Sequence, residues 1–142
     1  MAAAPGGSGA ALAAKLRPPE RPANEVARVE ICERIFAAGA AKLVLLRAPA
    51  GFGKTTAMLQ VRERFLQTGL PTIWLTLDRA DNDVGRFLTA LTAALAPIIP
   101  GLPRLDAGEP RSPDQVALAL IDRVAAHPAP LALFCDDFEA VQ

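Results

Sequence analysis

The chain carries no excess of charge: 15 basic and 15 acidic residues give a formal net charge of zero. That balance supplies no electrostatic footprint for nucleic acid. No run of about 18 apolar residues exists, so no transmembrane helix is expected. Cysteine is scarce. Cys32 and Cys135 each sit in an apolar pattern and read as small buried thiols of a reducing, cytoplasmic compartment, not as a disulfide or a metal pair. No Cys/His cluster has metal-ligand spacing. The one histidine, His127, precedes Pro128 in a connection and reads as a solvated loop residue. The one tryptophan, Trp74, reads as core packing and not as a stacking platform. What remains is 51% apolar and 21% charged over 142 residues, a globular composition with length for one domain and a core.

What is present is organised around Ala48-Pro49-Ala50-Gly51-Phe52-Gly53-Lys54-Thr55-Thr56. The last three positions of the phosphate-binding pattern G-x-x-x-x-G-K-[ST] are met by Gly53, Lys54 and Thr55, and Ala48 stands at the first. Such a loop points backbone N–H groups at phosphate oxygens, which requires a tight turn with little side chain in it. Gly51 and Gly53 supply the unusual dihedrals and the close approach. Ala48 fits if its own φ is negative. Lys54 is expected to reach the β- and γ-phosphates, and Thr55 to place a hydroxyl on Mg²⁺.

The context agrees. Lys42-Leu-Val-Leu-Leu-Arg47 reads as a buried parallel strand entering the loop. Thr55 to Thr68 reads as the helix leaving it, with Ala57, Met58, Val61 and Phe65 at helical spacing and Gly69 and Pro71 as its stop. The helix N-terminus then faces the anion. The bland alternative is a chance Gly-rich turn, which the strand–loop–helix context disfavours.

Residues 1–22 read as a flexible Ala/Gly/Pro-rich tail and linker, and 23–142 as the N-terminal portion of a nucleotide-binding domain. A helix is expected from Val29, with Cys32, Ile35 and Phe36 on one face and Gly39 at its end. Thr72 to Leu77 predicts a strand. Asp81-Asn82-Asp83 then offers N-caps to an amphipathic helix carrying Val84, Phe87, Leu88, Leu91 and Leu95. Residues 98–111 read as a loop. Ser112-Pro113-Asp114-Gln115 opens a further helix with face Val116, Ala117, Leu120, Ile121 and Val124. Leu131 to Cys135, ending in Asp136 and Asp137, has the form of a Walker B strand. Its carboxylates would emerge at the C-terminal edge of a parallel sheet, beside the phosphate loop. There Asp136 would hold Mg²⁺ and Asp137 would orient or deprotonate the attacking water. The alternation of strands and helices predicts an α/β fold with a parallel sheet.

Several stretches together resemble one family. They are Lys15-Leu-Arg-Pro-Pro19, Val26-Ala-Arg28, the Ala48–Thr56 loop, Trp74-Leu-Thr-Leu-Asp78, Asp81-Asn-Asp83 with Arg86-Phe87, and Cys135-Asp-Asp137. The chain resembles the N-terminal ATPase region of the large ATP-binding LuxR-type (MalT-like) transcription regulators, which are signal-transduction ATPases with numerous domains (STAND). Ala at the first loop position is usual in that family. The resemblance implies a P-loop NTPase three-layer sandwich of AAA/STAND type, incomplete here because the residues end after the Walker B strand. It implies ATP and Mg²⁺ as cofactors. The nucleotide ligands would be Val26, Arg28, Ala50, Gly51, Phe52, Gly53, Lys54, Thr55 and Thr56, with Val26–Arg28 against adenine and ribose. Thr55 and Asp136 would serve the metal, and Lys54 and Asp137 catalysis. It further implies a switch: ATP, with an inducer, favours an oligomerising DNA-binding state, and slow hydrolysis resets it. The regions for inducer and promoter DNA lie outside these residues.

The competing expectation is a small stand-alone P-loop ATPase or kinase. A kinase needs a basic acceptor-binding lid, and no Arg/Lys-rich insert stands between Leu77 and Leu131. A non-catalytic remnant would have lost Lys54, Thr55 or Asp136, and all three are present. The family's strand order, 5-1-4-3-2, separates the Walker A and Walker B strands by one that comes later in the chain. The 142 residues alone are therefore expected to pack loosely and to be inactive as an ATPase.

Overall fold

The computed structural model describes residues 7–39, 41–103 and 111–141. In chain order the elements are α1 (Gly7–Lys15), α2 (Val29–Ala37), α3 (Lys54–Gln67), β1 (Thr72–Thr76), a 3₁₀ turn (Arg79–Asn82), α4 (Val84–Leu95), α5 (Pro113–Ala125), β2 (Ala132–Asp136) and a second 3₁₀ turn (Phe138–Ala140).

The two runs with the sequence character of strands pair with each other. β1 and β2 form a parallel ladder in the register Thr72↔Ala132 to Thr76↔Asp136. A parallel pair requires a long crossover, and α4 and α5 occupy it. The fold is therefore mixed α/β around a small parallel sheet. Helices cover both faces of the ladder. On one face Ile73 packs with Leu88, Leu95, Ile99, Val116 and Leu120 from the crossover. On the other, Trp74 stacks on Phe134 at 5.8 Å between ring centroids. Phe134 meets Phe65 of α3 at 6.0 Å, and Phe65 meets Phe36 of α2 at 5.0 Å. The Arg64 guanidinium closes this row 4.2 Å over Phe36. Trp74 is thus core, and its indole N–H donates to the Thr76 hydroxyl.

The helix starts follow their caps. The Asp83 carboxylate accepts the Arg86 N–H at 2.9 Å. Ser112 and Gln115 form a reciprocal capping box with Pro113 at the first turn. The apolar face expected for α5 is only half used: Val116 and Leu120 are buried, whereas Ile121 is 62% exposed.

Two expectations are corrected. Lys42–Arg47 forms no strand; Leu43 is 84% exposed and Leu45 63%. Strand geometry is held by a ladder to a neighbour, and β1 and β2 take each other as partners. Among the described residues nothing pairs with this segment. The tail also departs from expectation, because Gly7–Lys15 is helical. Leu12 and Leu16 pack on Leu75, Leu77 and Ala90. Residues 1–6 of the expected tail and 104–110 of the expected loop lie outside the described residues.

Lys15 explains why α1 stays docked. Its ammonium lies 2.9 Å from the Asp78 carboxylate and 2.5 Å from that of Asp81, whose side chain is almost fully buried. Burial by itself would lower the Lys15 pKa, but the two carboxylates outweigh it and hold it above the usual lysine value. The Lys15 hydrogen bond holds Asp78 below the usual carboxylate value. A carboxyl with a lowered folded-state pKa contributes stability at neutral pH and loses it as the solution is acidified through that pKa. Lys15→Met should therefore destabilise the fold by about 1–3 kcal/mol near pH 7. Urea melts should show the gap between variant and wild type narrowing as the solution is acidified through the lowered Asp78 pKa.

Candidate functional site

The loop before α3 turns on its two glycines. Gly51 has φ 80° and Gly53 φ 77°, the left-handed region that glycine enters without a Cβ penalty. A Cβ on Gly53 would in addition lie 2.9 Å from the Arg28 guanidinium. Ala48 keeps an ordinary negative φ, since Asp137 is the non-glycine residue with a positive one among the described residues. Ala50, Gly51 and Phe52 form an exposed tip, with Phe52 66% exposed. Gly53 caps α3, and Lys54, Thr55 and Thr56 make its first, half-buried turn. The first N–H groups of that turn point along the helix axis toward the loop, a geometry that favours an anion.

The structure brings the two ends of the motif set together. Thr55 and Asp136 are 81 positions apart, and the Thr55 hydroxyl donates to the Asp136 carboxylate with both oxygens at 3.0 Å. Asp136 is 7% exposed at the C-terminal end of β2, and its Oδ1 also accepts the Asp137 N–H at 3.0 Å. Lys54 Nζ donates to the Ala48 carbonyl at 2.8 Å and lies 3.2 Å from Glu139 Oε1. Glu139, held by its own backbone and by Lys54, has a lowered pKa.

Asp137 differs from its neighbour. Its φ of 54° is left-handed, a conformation that aspartate tolerates better than most residues. It lies with Leu77, Asp78, Arg79, Glu139 and Ala140 around an open cleft of about 440 Å³ at the C-terminal edge of the strands. Partial burial raises its pKa first, the charges of Asp136 and Glu139 raise it further, and Lys54 opposes them.

On the far side of the loop, Arg28 reaches the Phe52 carbonyl at 3.5 Å, the outer limit of a hydrogen bond. Its N–H donates to Gln60 Oε1 at 2.7 Å, and Gln60 Nε2 donates to the Val26 carbonyl at 3.0 Å. Val26 and Arg28 are thereby joined to the helix that leaves the loop. Sequence reasoning missed Gln60 and Glu139. The signals were there: Gln60 is the one polar position between Ala57 and Val61, and Glu139 is a third acid just beyond the Asp pair.

Among the described residues no group of three or more His, Cys, Asp or Glu could hold a metal unaided. A hydroxyl and one carboxylate instead suit a hard cation that takes its other ligands from water and phosphate. Cys32 and Cys135 are free thiols whose pKa burial raises, which disfavours the reactive thiolate. An apolar cavity of about 460 Å³, lined by Leu12, Leu88, Thr92, Ile99 and Val116, shares no residue with the loop. Among the described residues no helix is long and apolar enough to cross a membrane.

Comparison with known proteins finds relatives of far greater length. The chain is 31% identical over 139 residues to the serine/threonine-protein kinase PknK of Mycobacterium tuberculosis, a match that covers 91% of this chain and 12% of that protein. PknK of Mycobacterium bovis matches to the same extent. The HTH-type transcriptional regulator MalT of Yersinia pestis is 36% identical over 84 residues, 59% of this chain and 9% of that protein. The chain is thus similar to a small segment of large proteins, one named as a kinase and one as a transcriptional regulator. No family model matches it, and no solved structure does.

A raised folded-state pKa makes the ionised form of Asp137 unfavourable, so stability is lost as pH rises through it. Asp137→Asn should therefore make the nucleotide-free chain slightly more stable at about pH 7, by no more than roughly 0.5 kcal/mol. The gain should vanish near pH 3, where the carboxyl is protonated in both states. Thermal melts at the two pH values check this.

Proposed function

We propose that this chain is the Mg-ATP-binding part of an ATP-dependent, LuxR-type (MalT-like) transcriptional regulator, in which nucleotide acts as a conformational switch with slow hydrolysis. The observation that carries the reading is the meeting of Thr55 with Asp136 at 3.0 Å, at the mouth of a two-glycine loop and the start of α3. Similarity to MalT supports the regulatory half of the reading. The finer fold proposed is the P-loop NTPase sandwich, of which β1 and β2 would be two adjacent parallel strands.

The residues divide the work by their chemistry. The loop from Ala50 to Gly53 offers backbone N–H groups to the phosphates. Lys54 brings a compact charge to the β- and γ-phosphates, leaving its present partners Ala48 and Glu139. Thr55 and Asp136 would hold the metal. Magnesium, when bound, neutralises charge on the phosphate oxygens. Asp137 stands at the cleft edge, where its raised pKa suits a group that accepts a proton from water.

Lys54→Ala should weaken Mg-ATP binding by about 1.5–3 kcal/mol, the scale of a hydrogen bond to a charged group. Titration calorimetry showing unchanged affinity would overturn the reading. Asp136→Asn should impair binding and its Mg²⁺ dependence together. Asp137→Asn should leave ATP binding nearly intact and abolish turnover, read as phosphate release. Wild-type turnover in that variant would remove Asp137 from the mechanism.

A further inference from the structure

We propose that Gln60 is the positioning residue for the nucleoside end of the site, acting through the backbone of Val26–Arg28. The inference rests on the ATP-binding reading above. The loop has two flanks. One carries Asp136, Asp137 and Glu139, and such carboxylates belong with a metal and the terminal phosphate. The other carries Arg28 against Phe52 and Gly53, with Val26 66% and Val29 59% exposed beside it. That flank offers the exposed Val26 and Val29 side chains, and no carboxylate against the loop, to a base, and a triphosphate running away from the acids delivers its nucleoside there.

Val26–Arg28 is neither helix nor strand; Arg28 caps α2, its carbonyl accepting the Cys32 N–H at 3.0 Å, and the rest of the segment's placement comes from a side chain. Gln60 supplies it. Its amide accepts from the Arg28 N–H at 2.7 Å and donates to the Val26 carbonyl at 3.0 Å. An amide provides an acceptor and a donor on two separate atoms of one side-chain end; an ionised carboxylate provides only acceptors. The Cys32 thiol of α2 approaches the same oxygen at 3.9 Å, which restrains the amide from the other side. Gln60 lies on the helix that begins at Lys54, so phosphate loop and nucleoside wall are referred to one rigid element.

The test compares two ligands in the intact protein with Mg²⁺: ATP and inorganic tripolyphosphate, which has no nucleoside. Wild type should bind ATP more tightly than tripolyphosphate. Gln60→Leu, similar in size but without hydrogen bonds, should weaken ATP roughly 5- to 30-fold, the loss of one to two neutral hydrogen bonds, and leave tripolyphosphate within about twofold. Gln60→Glu, which keeps the acceptor, should show a smaller loss for ATP alone. Equal loss of both ligands in both variants, or loss of neither, overturns the positioning role and leaves the nucleotide reading intact. Wild type binding neither ligand overturns the nucleotide reading itself.

Discussion

The parallel pairing of β1 with β2 is the constraint on which the rest of the structure depends. Its register aligns Thr76 with Asp136, so both strands end at the same edge. Leu77 continues the ladder by donating to the Asp136 carbonyl at 3.0 Å. Because the strands are parallel, everything between them must cross over one face, and α4 and α5 do so with their apolar sides on Ile73. The opposite face is left to α3, whose Phe65 meets Phe134. Once α3 is seated there, its first turn falls beside the end of β2. The contact between Thr55 and Asp136 follows from the packing of an aromatic row nearly three turns further along the helix.

Three neighbouring acids then sit in different surroundings. Asp136 is buried and receives two donors, the Thr55 hydroxyl and the Asp137 N–H. Glu139 is exposed and its pKa is drawn down by its own backbone and by Lys54. Asp137 sits between two like charges in a partly desolvated position, so its pKa is raised. Identical chemistry at adjacent positions is thus differentiated by burial and by the identity of the partner. A second cluster, Lys15 with Asp78 and Asp81, uses the same physics for attachment: it ties α1 to the turn that follows β1.

Much of this was legible in the chain because it is written in local patterns. The caps of α4 and α5, the glycines at the turn, the β-rich runs at Thr72 and Ala132 and the acids that end the second run are all short-range signals. They appear where their spacing predicts. Local pattern misled at Lys42–Arg47, because an apolar run states that a segment suits a buried strand and does not state what lies beside it. It misled again at Gly7–Lys15, where an Ala-rich stretch gains its helix from Leu12, Leu16 and the Lys15 ion pairs. Those contacts are all made to residues far along the chain.

The sequence by itself determined the types and order of the elements from α2 to β2, apart from Lys42–Arg47, and the glycine-rich loop before α3, since each rests on backbone preference or on spacing within one turn or strand. Only the tertiary structure decided which of them meet. The distance from Thr55 to Asp136, the reach of Gln60 to Val26 and Arg28, and the pairing of Lys54 with Glu139 join positions 81, 34, 32 and 85 residues apart at most. Such contacts depend on how helices dock on a sheet, a balance of burial and pairing over the whole fold that no local spacing encodes.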